Sequence, residues 1–308
     1  MHRLNPSLLP SHLDPLLAHG FHPLSLKKAL GIVLDKPDKP SYNSPSFKVI
    51  VLLRTLSKIL ESMVASRLSA QVTTCSLIDP LQCGSLPGRY TADAALVLPH
   101  NVESFHPLRY RVTTLFLDVK GGFDNMESPF LLNLLHSKGV SPSLVQWVGS
   151  FLRDRTCHLM FQGSSYTFAP VSLGVPQGSP ISLLLFVIYF SSLHLEIPRS
   201  LIISYIGHFA VTVASPSYRT NVPLLQKSFS SLKRKASPIN ISLSVPKTEL
   251  IQWGTARSNQ SLCSLLVQLE DRLFYPESRL RWPGFIFTPS FDLRCHFSRR
   301  YTLANAPW

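Results

Sequence analysis

Acidic residues are scarce in this chain: 17 Asp and Glu stand against 30 Lys and Arg over 308 residues, a formal charge of +13. A surplus of that size bears on association rather than fold, and it points first to nucleic acid as a partner. Cysteine is scarce and scattered. The five residues (Cys75, Cys83, Cys157, Cys263 and Cys295) form no C-x-x-C pair with histidine partners, which argues against a disulfide framework and against structural zinc. Long apolar runs are missing too. The most apolar stretch, Ile181 to Leu195, is closed by Glu196, Pro198 and Arg199 and falls short of the ~20 residues a spanning helix needs, so a buried core helix is expected there and no membrane partner. His12, Asp14 and His19 interrupt the N-terminal region, so no secretory leader is expected and the location is expected to be nuclear or cytoplasmic. Internal repeats and long low-complexity segments are absent.

What is present is a core. A hydrophobic fraction of 45% with 15% charged residues lies far from the composition of chains that fail to collapse. The 25 prolines and 14 glycines imply many loops between short elements. Residues 1 to about 47 are rich in Pro, His and Lys, and Lys36-Pro37-Asp38-Lys39-Pro40 reads as a basic, irregular loop, with the first firm helix after it. Leu53, Leu56, Leu60, Met63, Val64 and Leu68 then fall on one helical face. Gln82 to Arg89 reads as a turn-rich loop before a helix from Thr91, and Arg111 to Val119 as a buried strand stopped at Lys120-Gly121-Gly122. Two helices open at Ser128-Pro129 and Ser141-Pro142, with serine as N-cap and proline in the first turn. A hairpin over Cys157–Gln162 and Tyr166–Ser172 follows, then the glycine-bearing loop Gly174 to Pro180. A second hairpin over Leu201–Ile206 and Phe209–Ala214 turns at Gly207-His208. A helix ending in Lys233-Arg234-Lys235 and a strand-like Ile241 to Trp253 complete the readable pattern, which weakens from Ala256. Interleaved helices and strands make the expected class mixed α/β, of the α+β kind.

The ordered motifs resemble the reverse-transcriptase domain of non-LTR, LINE-like retrotransposons. The resemblance covers roughly residues 30 to 290 and is carried by the order of the set: Phe47-Lys48-Val49-Ile50; the Gln82 to Arg89 loop; Phe116-Leu117-Asp118-Val119-Lys120-Gly121-Gly122-Phe123-Asp124-Asn125; Gly174-Val175-Pro176-Gln177-Gly178-Ser179-Pro180; Tyr205-Ile206-Gly207-His208; Pro246-Lys247-Thr248-Glu249; and Arg281-Trp282-Pro283-Gly284. It implies a right-hand polymerase fold with fingers and palm, an antiparallel palm sheet flanked by helices, and a thumb truncated or absent after Arg300. The implied partition is residues 1–46 as an extension and start of the fingers, 47–110 fingers, 111–255 palm with interleaved fingers elements, and 256–308 palm end and partial thumb. RNA template, DNA primer and Mg²⁺ or Mn²⁺ are the implied partners and cofactor.

Residue roles follow from the same resemblance. Asp118 matches the first catalytic carboxylate and the candidate metal ligand. Phe123 matches the aromatic beneath the incoming sugar, while Pro176, Gln177 and Gly178 match the loop against the nascent base pair. Lys48 stands for a triphosphate-binding arginine, and Lys247 for a palm lysine beside the leaving pyrophosphate. The family's Tyr-x-Asp-Asp, however, reads Tyr205-Ile206-Gly207-His208. In-line nucleotidyl transfer uses two metal ions about 3.5–4 Å apart, and hard Mg²⁺ wants converging oxygens. Glycine supplies no side-chain ligand and imidazole suits softer metals. Asp124, past two glycines, reads as a turn residue rather than a replacement. Leu183, Tyr90 and Pro283 also depart from the family pattern. The expectation is a reverse-transcriptase domain impaired in catalysis. Two alternatives stand beside it: a decayed reading frame, and a non-catalytic nucleic-acid-binding remnant using Lys27-Lys28, Lys36, Lys39, Lys48, Lys233-Arg234-Lys235 and Arg299-Arg300.

Overall fold

The computed structural model describes residues 8–35, 47–193, 200–254, 265–292, 294 and 296–299. The loop at Lys36 to Pro40, Cys263, Cys295 and the boundary at Arg300 lie outside them, as does the side chain of Lys48. In chain order the elements are α1 (Leu8–Ala18), β1 (Lys28–Asp35), β2 (Phe47–Leu52), α2 (Thr55–Thr74), α3 (Thr91–Glu103), β3 (Arg111–Lys120), α4 (Ser128–Ser137), α5 (Pro142–Leu152), β4 (Arg155–Phe161), β5 (Ser164–Val171) and α6 (Ser182–Ser191). They continue with β6 (Ser200–Tyr205), β7 (His208–Ser215), α7 (Tyr218–Ala236), β8 (Ser242–Leu243), β9 (Glu249–Trp253), β10 (Val267–Leu269), β11 (Arg272–Phe274), β12 (Leu280–Trp282) and β13 (Phe285–Phe287). The chain forms two compact units, one of residues 1–78 and 121–189, the other of 79–120 and 190–308.

The first unit carries a sheet of order β2-β1-β4-β5, in which β1 runs antiparallel to β2 and parallel to β4. Regular structure thus begins ahead of the first helix expected from the sequence, since Leu8–Ala18 is helical and Lys28–Asp35 is a strand. At α4 the N-cap is Glu127, with Ser128 already helical, whereas Ser141 is the N-cap of α5 with its hydroxyl accepting from Gln71 Nε2 at 3.1 Å rather than capping the helix. Packed near α5, His22 is fully buried with its ring edge-on to Trp147 and Phe151 at 5.1 and 5.3 Å. Its Nε2 lies 3.4 Å from Ser57 Oγ, and its Nδ1 has no partner. Burial, and secondarily the charge of Lys27, pushes this imidazole from 6.5 down to about 4. The unfolded chain therefore binds the proton at a higher pH than the native one, so native stability is lost as pH falls from about 6.5 towards about 4. At about 1.4 kcal/mol per unit the ceiling is about 3 kcal/mol. Glu61, fully buried, has its carboxyl raised by desolvation, so its contribution runs the other way and declines as pH rises. His22→Phe should flatten the acid side of a stability–pH curve from urea unfolding, and Glu61→Gln should steepen it. An unchanged slope in His22→Phe would remove His22 from the account.

The second unit is built on β3. Its β-branched and apolar residues 112–117 are buried, with β7 antiparallel on one side and β9, then β8, antiparallel on the other. Pleating sends alternate residues to opposite faces. Val112 and Phe116 join a cluster with Ala94, Leu98, Ile203, Ala210, Ile251, Trp253 and Trp282. The buried hydroxyls inside this sheet are satisfied: Thr114 bonds Thr212 at 2.8 Å and accepts from Trp253 Nε1 at 2.7 Å, and Thr113 accepts from Asn221 Nδ2 at 2.9 Å. The segment expected to be one strand over Ile241–Trp253 is broken into β8, a 3₁₀ turn over Val245–Lys247, and β9. Pro246 is the reason: without an N–H it cannot extend the ladder. The small hairpins β10–β11 and β12–β13 lie where the sequence pattern had faded.

Candidate functional site

Asp118 occupies the face of β3 shared with Phe116, near the strand's C-terminal end, and is paired in register with His208, the first residue of β7. That register brings the two side chains together, with Asp118 Oδ1 and His208 Nδ1 3.3 Å apart. The other oxygen, Oδ2, accepts from Lys247 Nζ at 2.6 Å. Lys247 reaches it because of the break at Pro246. β8 pairs with Val119 and Lys120, β9 pairs with residues 112–116, and the intervening turn crosses opposite Asp118, whose carbonyl accepts from Ser244 N at 2.7 Å. The Asp118 side chain is 16% exposed, against 51% for His208 and 67% for Lys247. The carboxylate thus lies beneath two nitrogen groups that face solvent.

Gly207 sits at the tip of the two-residue β6–β7 turn, and its carbonyl accepts from Val119 N at 3.1 Å. Ile206, the first turn residue, has φ +56°, a conformation that a β-branched side chain adopts at a cost of about 1–3 kcal/mol. Buried Gln82 holds it there. Gln82 Oε1 accepts from Ile206 N at 2.9 Å and from Gly84 N at 3.2 Å, and Gln82 Nε2 donates to Ile206 O at 3.2 Å. Sequence reading placed Gln82 in a turn-rich loop and assigned it no task. Its only signal was its position at the start of the Gln82 to Arg89 motif. Gln82→Ala should destabilise the fold by about 2 kcal/mol, through three lost bonds at a strained turn, and should raise hydrogen exchange at the Ile206 amide ahead of the β3 amides. Unaltered Ile206 protection would mean that the turn stands without Gln82.

The other candidate residues gather in the first unit. Phe123 stacks on Phe186 at 4.4 Å, and its carbonyl accepts from Val175 N at 2.8 Å. Gly174 N donates to Met126 O at 2.9 Å with φ +71°, and a Cβ there would collide with Phe123 O, so only glycine lets the loop approach this turn. Gln177 O accepts from Val51 N at 3.1 Å, which lays Pro176–Gly178 along β2, the strand whose backbone includes Lys48. Asp124 N and Asn125 N both bond Gly121 O, at 3.1 and 3.0 Å, as expected of turn residues. Asp124 also lines a cavity of about 280 Å³ with Val51, Arg155, Cys157, Pro176 and Gln177.

A site for two hard dications needs several carboxylates directed at one point. The residues present do not fit. Asp118 has one oxygen bonded by Lys247 and the other facing His208 Nδ1, and among the described residues no three of His, Cys, Asp and Glu converge in a metal-binding group. Among these residues, too, no helix is long and apolar enough to cross a membrane.

The family profile of the reverse transcriptase (RNA-dependent DNA polymerase) matches residues 34–287. The chain is 26% identical over 297 residues to the RNA-directed DNA polymerase from mobile element jockey of Drosophila melanogaster, covering 94% of this chain and 31% of that protein. It is 28% identical over 211 residues to the probable RNA-directed DNA polymerase from transposon BS of the same organism, covering 66% and 23%. The chain therefore spans about a third or less of the length of these relatives. Among solved structures, telomerase from Candida tropicalis in complex with a fragment of telomeric RNA superposes with a TM-score of 0.57 at 13% identity, over 93% of this chain and 47% of that one. The apo telomerase truncated from its C-terminal domain gives 0.53 at 12%, over 87% and 54%. Likeness at such identities speaks to fold: the right-hand polymerase architecture.

Proposed function

The chain belongs to the reverse transcriptase (RNA-dependent DNA polymerase) family, and from that premise we propose that it is the polymerase domain of a non-LTR retrotransposon in which metal-dependent nucleotide addition has been lost while the framework for holding nucleic acid persists. The family uses divalent metal in general. The observation that carries the proposal is the fate of Asp118: its partners are His208 and Lys247 rather than further carboxylates. A single engaged carboxylate cannot hold two dications against their mutual repulsion.

In this reading the second unit is the palm and the first supplies the fingers. Phe123 lies beneath the sugar of a nucleotide and favours the deoxy form by excluding a 2′-hydroxyl. Pro176, Gln177 and Gly178 offer a backbone surface to the base pair, and Lys48 and Lys247 neutralise phosphate. The surplus of +13 and the exposed basic end of α7 at Lys233, Arg234 and Lys235 support RNA template and DNA primer as partners, held by phosphate contacts that weaken steeply with salt.

The test is a Mn²⁺ titration followed by electron paramagnetic resonance on the purified chain and on Asp118→Ala. The two should behave alike. A tight Mn²⁺ site present in the unchanged chain and absent from Asp118→Ala would end the proposal.

A further inference from the structure

We propose that the tip of the β6–β7 hairpin, together with the end of β3 and the Val245–Lys247 turn, is a metal-independent phosphate site, in which an anion takes the place that cations would hold beside an intact set of carboxylates. The inference rests on the reading of the chain as a reverse-transcriptase domain without two-metal chemistry, and it deepens that reading by naming what the altered site takes.

Three observations carry it. The one carboxylate is sheltered, 16% exposed, with Oδ2 accepting from Lys247 at 2.6 Å and Oδ1 facing His208 Nδ1 at 3.3 Å, so little negative charge reaches solvent. The group beside it that reaches furthest into solvent is the Lys247 ammonium, 67% exposed, while His208, 51% exposed, adds no negative charge and turns its Nδ1 to Asp118. Lys120 adds to that ammonium: it is exposed, two residues beyond Asp118 on the same strand, and therefore on the same side of the pleat. With the imidazole counted as neutral, two lysines against one aspartate leave the cluster net positive. An ammonium has three N–H groups. Lys247 directs one at Asp118, which fixes the side chain and leaves the others for a phosphate oxygen in a charge-assisted bond. The Ser244 N–H to Asp118 O bond and the register of β7 hold the elements that present these donors, so the site is already formed.

The shared chemistry is a phosphate group, carried either on a polynucleotide backbone or on a free nucleoside triphosphate. Fluorescence anisotropy with a short labelled RNA–DNA hybrid at low salt, in EDTA and in Mg²⁺, tests it on the full chain. Binding by the unchanged chain should be the same in both. Lys247→Ala should weaken it several-fold and lower the log–log salt slope by about one, with Lys247→Arg retaining most of it. His208→Asp should weaken binding in EDTA and make it respond to Mg²⁺. Circular dichroism melts confirm that each variant is folded. Competition by an unlabelled nucleoside triphosphate in EDTA would assign the site to free nucleotide, and absence of competition would assign it to the backbone.

The proposal is overturned if hybrid binding disappears in EDTA, if no hybrid binds at low salt, or if folded Lys247→Ala binds with the affinity and slope of the unchanged chain. None of these results alters the Mn²⁺ comparison with Asp118→Ala, so the failure of this inference is distinguishable from failure of the catalytic reading.

Discussion

Replacing Gly207 and His208 by aspartate in one protein is expected to raise Mg²⁺-dependent, template-directed incorporation by at least about three powers of ten over the unchanged chain. This corresponds to about 4 kcal/mol of transition-state stabilisation, at about 1.4 kcal/mol per decade. The expectation is geometric. Residue 208 is already the ladder partner of Asp118, and the turn at 207 is bonded to Val119 N, so carboxylates at both positions converge on the end of β3 without a backbone change. Gly207 lies outside the positive-φ set of glycines, so its backbone conformation does not itself require glycine. Lys247 stays where the ladder break puts it and is available to neutralise charge on the far side. His208→Asp alone should recover less, because it supplies one new ligand rather than two. Adding Asp118→Ala to the restored protein should abolish the gain. A restored protein that melts like the unchanged chain yet remains silent would locate the loss beyond the hairpin.

Arg155→Met is expected to destabilise the first unit by about 3 kcal/mol, through the lost bonds of a buried guanidinium. Arg155 is 7% exposed, and burial pulls its pKa down to about 10 against the opposing influence of Cys157 and Glu61. Its Nε donates to Leu152 O at 3.2 Å, and Nη2 donates to Leu173 O at 3.3 Å and Gly174 O at 2.5 Å. These bonds tie the start of β4 to the base of the loop that continues through Pro176, Gln177 and Gly178. Methionine fills much of the stem's volume but donates nothing, leaving carbonyls unpaired at about 1–3 kcal/mol each before relaxation. Arg155→Lys keeps the charge without the fork and should lose about half as much. Urea unfolding followed by circular dichroism measures both. A change below about 1 kcal/mol in Arg155→Met would show that the loop is held by its glycine contacts alone.

The legible and illegible parts of the fold divide by the range of the interactions that fix them. β3 and the β6–β7 hairpin could be read because their runs of β-branched and apolar residues favour strand locally. The Leu53 to Leu68 stripe marked α2, which runs over Thr55–Thr74 with Leu60, Val64 and Leu68 buried. β1 could not be read in this way. Lys28–Asp35 contains Gly31 and borders proline-rich chain, and its strand state comes from pairing with β2 and, across a long sequence separation, with β4 in parallel.

The candidate site divides in the same way. Motif order named Asp118, Phe123, Pro176, Gln177, Gly178, Gly207, His208 and Lys247, but spacing could not say that Lys247 and His208 occupy the two oxygens of Asp118. That follows from a ladder register and a proline break, both of which are tertiary. Gln82 and Arg155 were passed over because their importance lies in backbone groups at Ile206, Leu173 and Gly174, which carry no side-chain signature.

Primer extension on an RNA template, with Mg²⁺ and separately with Mn²⁺, comparing the unchanged chain with Asp118→Ala, tests the central claim most directly. The account predicts that the two proteins give the same background in either metal, since the carboxylate removed in the variant is one that His208 and Lys247 already occupy. Template-dependent product from the unchanged chain above the Asp118→Ala control would contradict it.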